Sequence, residues 1–106
     1  MESTNLYKNG IPQFDGHKYV FWSIRMKPYI QAYGFQVWQS IVYGYTAPAV
    51  PPSDKAVKLS ENNSKAINAL LNGLSDMVFT KVAHCKSAKE IWDKLRNIYE
   101  GNSNSK

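Results

Sequence analysis

Two neighbouring residues, His84 and Cys85, are the part of this sequence whose types could support chemistry. An imidazole beside a thiol can activate a nucleophile, and both side chains can bind a metal ion. A hydrolase also needs a third group that orients the base, and a zinc site needs three or four ligands. The other histidine, His17, lies far away in the sequence. The pattern therefore favours a packed thiol next to a surface histidine.

A second candidate pair consists of the carboxylates Glu90 and Asp93, which lie three residues apart, as on one face of a helix. Three cations surround them: Lys89, Lys94 and Arg96. This arrangement is typical of surface ion pairs.

The sequence also lacks a glycine-rich phosphate loop, a Gly-x-Ser-x-Gly motif and an internal repeat. We therefore predict no catalytic residues, no cofactor site, no metal site and no enzymatic activity.

The formal net charge is +5, from 13 basic and 8 acidic residues. An excess of this sign favours acidic partners such as nucleic acid. The lysines are scattered and form no basic block, so we expect RNA binding to be weak and non-specific at most, and salt-sensitive. Five aromatic residues could stack on bases but fall within apolar helical patterns, which favours core packing: Tyr19, Trp22, Trp38, Trp92 and Tyr99.

The single cysteine excludes an internal disulfide, and the first residues lack the basic and apolar run of a signal peptide. No apolar stretch approaches about 18 residues, and Glu2 occupies the position of a myristoylated glycine. We therefore expect a soluble protein of the reducing cytoplasm that does not contact membranes.

The elements that must position these residues are helical. Residues 17–33 carry apolar side chains at spacings of three and four, which predicts a helix that Gly34 ends: Tyr19, Trp22, Met26, Ile30 and Tyr33. Pro28 removes a backbone donor, so we expect a kink or a break there.

A second apolar set lies opposite the first at about 100° per residue: Val20, Phe21, Ile24 and Pro28. Two explanations are open. Both faces can be buried inside the domain, or one face can pack inward while the other meets a partner. The second explanation makes these four residues a candidate self-association surface.

The following segments give weaker signals. Residues 36–43 favour a short helix over a strand, and the prolines in residues 46–53 require a loop. After a polar stretch, a helical apolar pattern begins at Ile67 and runs to Val78, and the turn formers near Gly73 and Ser75 can separate off a short fourth helix through Val82.

The last helix gives the clearest signal. Ser87 and Glu90 form a capping box, in which the hydroxyl accepts from an early backbone donor and the carboxylate reaches back. A single apolar stripe follows, and Gly101 supplies the stop: Ala88, Ile91, Trp92, Leu95, Ile98 and Tyr99. The predicted fold is all-α, a compact bundle of about five helices. It has an irregular arm over residues 1–13, a helical domain over residues 14–101 and a polar tail over residues 102–106.

Both halves of the chain carry a set of motif residues. In the first half, these are Phe14-Asp15-Gly16, Tyr19, Trp22, Met26, Trp38 and Gly44. In the second half, they are Ala69-Leu70, Ser75-Asp76, Phe79, Cys85, residues 87–95, Tyr99 and Gly101. Over about residues 12–101, these positions resemble, in the same order, the Gag polyproteins of copia-type LTR retrotransposons, which abound in plants.

The resemblance implies a domain similar to the N-terminal half of retroviral capsid proteins, which assembles into particles that package RNA. The expected partners are other copies of the chain or full-length Gag. The core and motif positions that we assign are Phe14, Gly16, Tyr19, Trp22, Met26, Trp38, Leu70, Phe79, Ile91, Trp92, Leu95 and Tyr99. Family members continue into a second helical half and usually a zinc knuckle, so this chain is either part of a longer Gag or a shortened, domesticated descendant. An RNA-binding domain and a regulator that joins Gag lattices or a host protein are the competing functions.

Overall fold

The computed structural model describes residues 6–47 and 53–100. A β-hairpin comes first, made of β1 (Tyr7–Lys8) and β2 (Ile11–Pro12). The helices are α1 (Tyr19–Tyr33), α2 (Phe35–Tyr43), α3 (Asp54–Leu71), α4 (Asp76–Val82) and α5 (Ala88–Leu95), and a π-helical turn over Arg96–Glu100 continues α5. The predicted all-α bundle is confirmed, with five α-helices in this part of the chain.

Several predicted segments lie outside the described residues. They are the first five residues of the arm, residues 48–52 of the proline-rich loop, the stop at Gly101 and the tail over residues 102–106.

The arm that was predicted to be irregular instead contains the hairpin. Tyr7 pairs with Pro12, and Lys8 pairs with Ile11, in antiparallel register. The two residues between the strands, Asn9 and Gly10, have φ angles of 53° and 82°. Positive φ at both central positions is what a two-residue hairpin turn needs, and Asn-Gly supplies it at low cost.

The hairpin is bound to the helices by main-chain and side-chain hydrogen bonds. The indole Nε1 of Trp22 donates to the carbonyl of Pro12 at 3.1 Å. The Phe14 amide donates to the Gly73 carbonyl at 2.7 Å, and the Ser75 amide donates to the Phe14 carbonyl at 3.0 Å. A Cβ atom on Gly73 would lie 2.7 Å from the Pro12 carbonyl oxygen, so only glycine allows this approach.

Helix α1 continues through Pro28, so of the two outcomes that the sequence left open, a kink or a break, the break is excluded. Trp22 and Met26 before the proline, and Ile30 after it, are all buried on the same side of the helix. Packing on both sides of Pro28 therefore holds the two turns in one helix. The proline itself is exposed, where water can reach the carbonyl of Ile24 that lacks an amide partner.

Helix α3 begins at Asp54, more than three turns before the predicted start near Ile67. The Ser53 hydroxyl accepts from the Ala56 amide at 3.2 Å and caps the helix. Asn62 and Asn63 occupy buried positions of this first part. Because polar residues take inward positions here, the apolar pattern that identifies a helix is hidden in the sequence.

A second cap joins α3 to α5. The Ser87 hydroxyl accepts from the Glu90 amide at 3.2 Å, as predicted. The Glu90 carboxylate accepts from the amide of Lys86 at 2.6 Å, one residue before the position expected in a capping box. The amide of Ala88, at the start of α5, donates to the side-chain oxygen of Asn63 on α3 at 3.0 Å. This hydrogen bond connects the two helices.

A row of aromatic rings crosses the core from the hairpin side to α2. Phe14 stacks on Trp22 with centroids 5.1 Å apart, and Trp22 lies 5.7 Å from Trp92. Trp92 meets Trp38 edge-on at 5.4 Å. The row therefore links the segment after the hairpin, α1, α5 and α2.

Most of the assigned core positions lie in or against this core. Seven are buried: Phe14, Tyr19, Trp22, Met26, Leu70, Ile91 and Leu95. Trp38, Trp92 and Tyr99 are half-buried and pack against them, and Gly16 is half-buried with a φ of 105°.

Phe79 is 40% exposed, so its assignment as a core residue is wrong. Val78 and Val82, one turn apart, fill the inner face of α4. Phe79 follows Val78 by about 100° around the helix and is directed away from the core.

Candidate self-association surface

The outer face of α1 consists of Val20, Phe21, Ile24 and Pro28, the four residues proposed from the sequence. All four are exposed, and the exposed fractions of the first three are 48%, 58% and 64%. Val20, Ile24 and Pro28 follow one another at intervals of four residues, so they form one continuous stripe. Phe21 lies beside this stripe.

The opposite face of α1 explains this exposure. Its buried residues are Tyr19, Trp22, Met26 and Ile30. The hairpin, α2 and the turn after α5 all contact α1, and the described elements leave the outer face uncovered. Of the two explanations that the sequence left open, burial of both faces within this part of the chain is excluded.

Three cations flank the outer face: Lys18, Arg25 and Lys27. The Lys18 ammonium lies 6.0 Å from the centroid of the Phe21 ring, within reach of a cation–π interaction. The sequence contains no acidic residue between Asp15 and Asp54. The outer face is therefore apolar along its centre and positive at its edges.

A further exposed apolar set lies on α2, and the sequence reasoning did not identify it. Its members are Phe35, Val42 and Tyr43, with exposed fractions of 61%, 45% and 77%. Val37 and Ile41 fill the inner face of this helix and Trp38 packs against the core, so the other three apolar residues have no inward position. The sequence could have indicated this apolar surface, because residues 28–53 contain no charged side chain.

The pair that suggested chemistry, His84 and Cys85, lies between α4 and α5. His84 is exposed and Cys85 is half-buried. Burial raises the pKa of the Cys85 thiol, and the Glu90 carboxylate raises it further. A raised pKa keeps the thiol protonated at neutral pH and makes it a poor nucleophile. Within the described ranges, no group of three or more His, Cys, Asp or Glu side chains could hold a metal ion.

The carboxylates Glu90 and Asp93 serve local structure. Glu90 accepts a hydrogen bond at the start of α5, and Asp93 accepts from the Lys89 ammonium at 2.6 Å. In the core, burial raises the pKa of the Tyr19 phenol to about 12, and the Glu100 carboxylate adds to the shift. None of the helices that the structure describes is long and apolar enough to cross a membrane.

Comparison with known proteins identifies one family. The family described as gag-polypeptide of LTR copia-type matches residues 30–106, well over half of the chain. The match covers α2 to α5 and the last turn of α1. No curated protein and no solved structure gives a significant match.

Proposed function

The chain belongs to the family of gag-polypeptides of LTR copia-type, and from this premise we propose that it is a non-enzymatic structural module that associates with copies of itself through the outer face of α1. The partner is a second copy of this chain or the same region of a full-length Gag. One observation supports the proposal most. A continuous apolar stripe is uncovered on the helix whose opposite face lies in the core. Contiguous exposed apolar surface commonly marks a protein–protein contact.

A single contact of this kind is expected to be weak. Full burial of a side chain such as Phe21 or Ile24 contributes about 1.5–3 kcal/mol, whereas association costs roughly 4–15 kcal/mol in lost freedom of motion. The flanking cations of two copies also repel each other, most strongly at low salt. Self-association should therefore appear at high protein concentration, or where many copies are held together and their contacts reinforce one another.

The double variant Phe21→Asp/Ile24→Asp tests the proposal. The parent should gain mass with concentration in sedimentation velocity, without RNA, and the variant should remain monomeric. Its helical content and melting temperature should stay close to those of the parent, because both side chains are exposed. The two added carboxylates would have to be desolvated on association, which opposes it.

A matched control separates the effect of the surface from that of the charge. Val57→Asp/Met77→Asp makes the same chemical change at two exposed apolar residues of α3 and α4. This control should associate like the parent. If Phe21→Asp/Ile24→Asp folds and still associates, the outer face is not the contact; if it fails to fold, that face is part of the core.

A further inference from the structure

The hairpin and the first half of α1 enclose a surface groove of about 770 Å³. Three cations line it, Lys8, Lys18 and Arg25, together with the rings of Tyr7 and Phe21. We name this the hairpin groove. Arg25 and Lys18 lie on the flank of α1, about 100° or more around the helix from Ile24. The groove is therefore adjacent to the outer face and shares only Phe21 with it.

The positive charge of the hairpin groove is only partly offset by the described protein, because one carboxylate lines it together with three cations. Its one acidic residue, Asp15, accepts from the amide of His17 at 3.1 Å and lies 3.3 Å from the Nδ1 atom of that residue. No described acid forms an ion pair with Lys8, Lys18 or Arg25. Among the described atoms, the buried Nε of Arg25 also has no acceptor.

Among the described residues, the acidic side chains form no cluster that could complement the groove in a second copy of the chain. Three helices each have one acid in the first turn, which offsets the helix dipole. These acids are Asp54 in α3, Asp76 in α4 and Glu90 in α5. Two others face lysines: Glu61 lies 3.9 Å from Lys58, and Asp93 lies 2.6 Å from Lys89. This scatter, together with the formal charge of +5 over the chain, favours an anion of another kind as the complement of the groove.

The rings indicate which anion. Tyr7 and Phe21 are each about half exposed. The Arg25 guanidinium lies 5.8 Å from the Tyr7 centroid, and the Lys18 ammonium lies 6.0 Å from that of Phe21. Each exposed ring thus has a cation beside it, which is the arrangement that binds a stacked base together with its phosphate. The volume of the groove lies within the range of about 300–1,000 Å³ that is typical of pockets for small molecules.

We propose that the hairpin groove binds single-stranded nucleic acid without sequence preference, with a base stacked on Tyr7 or Phe21 and neighbouring phosphates held by Lys18 and Arg25. The groove shares Phe21 with the outer face, so the variants that test the groove change Tyr7, Lys18 and Arg25 and leave the four outer-face residues unchanged.

Fluorescence anisotropy with a labelled oligouridylate tests this proposal. Lys18→Gln/Arg25→Gln should weaken binding at least about tenfold at low salt, and should reduce the slope of log affinity against log salt by about 1.4, since each phosphate contact on a single strand accounts for about 0.7. Lys55→Gln/Lys65→Gln on α3 removes the same charge away from the groove and should have a much smaller effect. Equal losses in the two variants, or no binding by the parent at low salt, would overturn the proposal.

A second variant tests the stacked base. Tyr7→Ala should weaken oligouridylate binding about tenfold while leaving the affinity for an abasic oligonucleotide of equal length unchanged, because that probe has phosphates but no bases. An equal loss for both probes excludes stacking. Vesicles of anionic phospholipid provide the last comparison: if they bind more tightly than the oligonucleotide, and through Lys18 and Arg25, the groove is a lipid site and the proposal is wrong.

Discussion

Trp92 lies between two other indole rings, with centroids 5.7 Å from Trp22 and 5.4 Å from Trp38. Its side chain is half-buried, so it shields the core at the junction of α1, α2 and α5. Trp92→Ala should therefore lower the free energy of unfolding by about 3 kcal/mol, at the lower end of the range for fully buried tryptophan. Urea denaturation measures the change, with the exposed Phe79→Ala as the control. A Trp92→Ala variant that unfolds at the same urea concentration as the parent would show that the aromatic row does not stabilise the fold.

Asn63 makes a hydrogen bond that spans two helices. Its buried side-chain oxygen accepts from the amide of Ala88 at the start of α5. Asn63→Ala leaves this amide buried without a partner, which should cost about 1–3 kcal/mol of stability. Thermal unfolding would detect the loss, and Ser64→Ala at the neighbouring exposed position provides the comparison. Equal melting temperatures for the two variants would contradict the role that we assign to Asn63.

Sequence patterns identified residues whose position follows from local spacing. The burial of Trp22 and Leu95 follows from apolar positions three and four residues apart. The role of Asn63 could not be predicted in this way, because its partner lies 25 residues away. The exposure of Phe79 also could not be predicted. In a helix of two turns, too few apolar residues repeat to show which face packs on the core.

At the scale of elements, predictions succeeded where the apolar pattern was strong and failed where it was short or interrupted. Helix α5 was predicted with its cap, and α1 with its inner face. Strands β1 and β2 have two residues each, too few to show alternation, so the Asn-Gly turn indicated only an irregular arm. The first part of α3 was missed because asparagines occupy its buried positions.

Pro28 interrupts the hydrogen bonding of α1 without ending the helix. Pro28→Ala restores an amide that can donate to the carbonyl of Ile24, four residues earlier. The cost of proline within a helix is about 3 kcal/mol, partly offset because proline also restricts the unfolded chain by about 1 kcal/mol. The variant should therefore gain about 1–2 kcal/mol in stability, visible as a melting temperature several degrees higher. An unchanged or lower melting temperature would mean that the packing of Tyr19 and Ile30 requires the shape that Pro28 imposes.

At the scale of the whole molecule, the structure decided a question that the sequence left open. The family could be inferred from motif residues in both halves of the chain, and the match over residues 30–106 confirms it. Whether the outer face of α1 is covered depends on where every other element packs, which helical spacing alone does not determine. The same holds for the hairpin groove, since it forms between the predicted irregular arm and α1.

The central claim is that copies of the chain meet through the outer face of α1, and amide NMR spectra recorded at increasing protein concentration test it residue by residue. Between about 0.1 and 1 mM, a range suited to weak contacts, the amides of Val20, Phe21 and Ile24 should shift or broaden, whereas that of Met77 on α4 should not. Spectra that do not change with concentration would contradict self-association. Changes confined to Phe35, Val42 and Tyr43 would show that α2, rather than α1, supplies the contact.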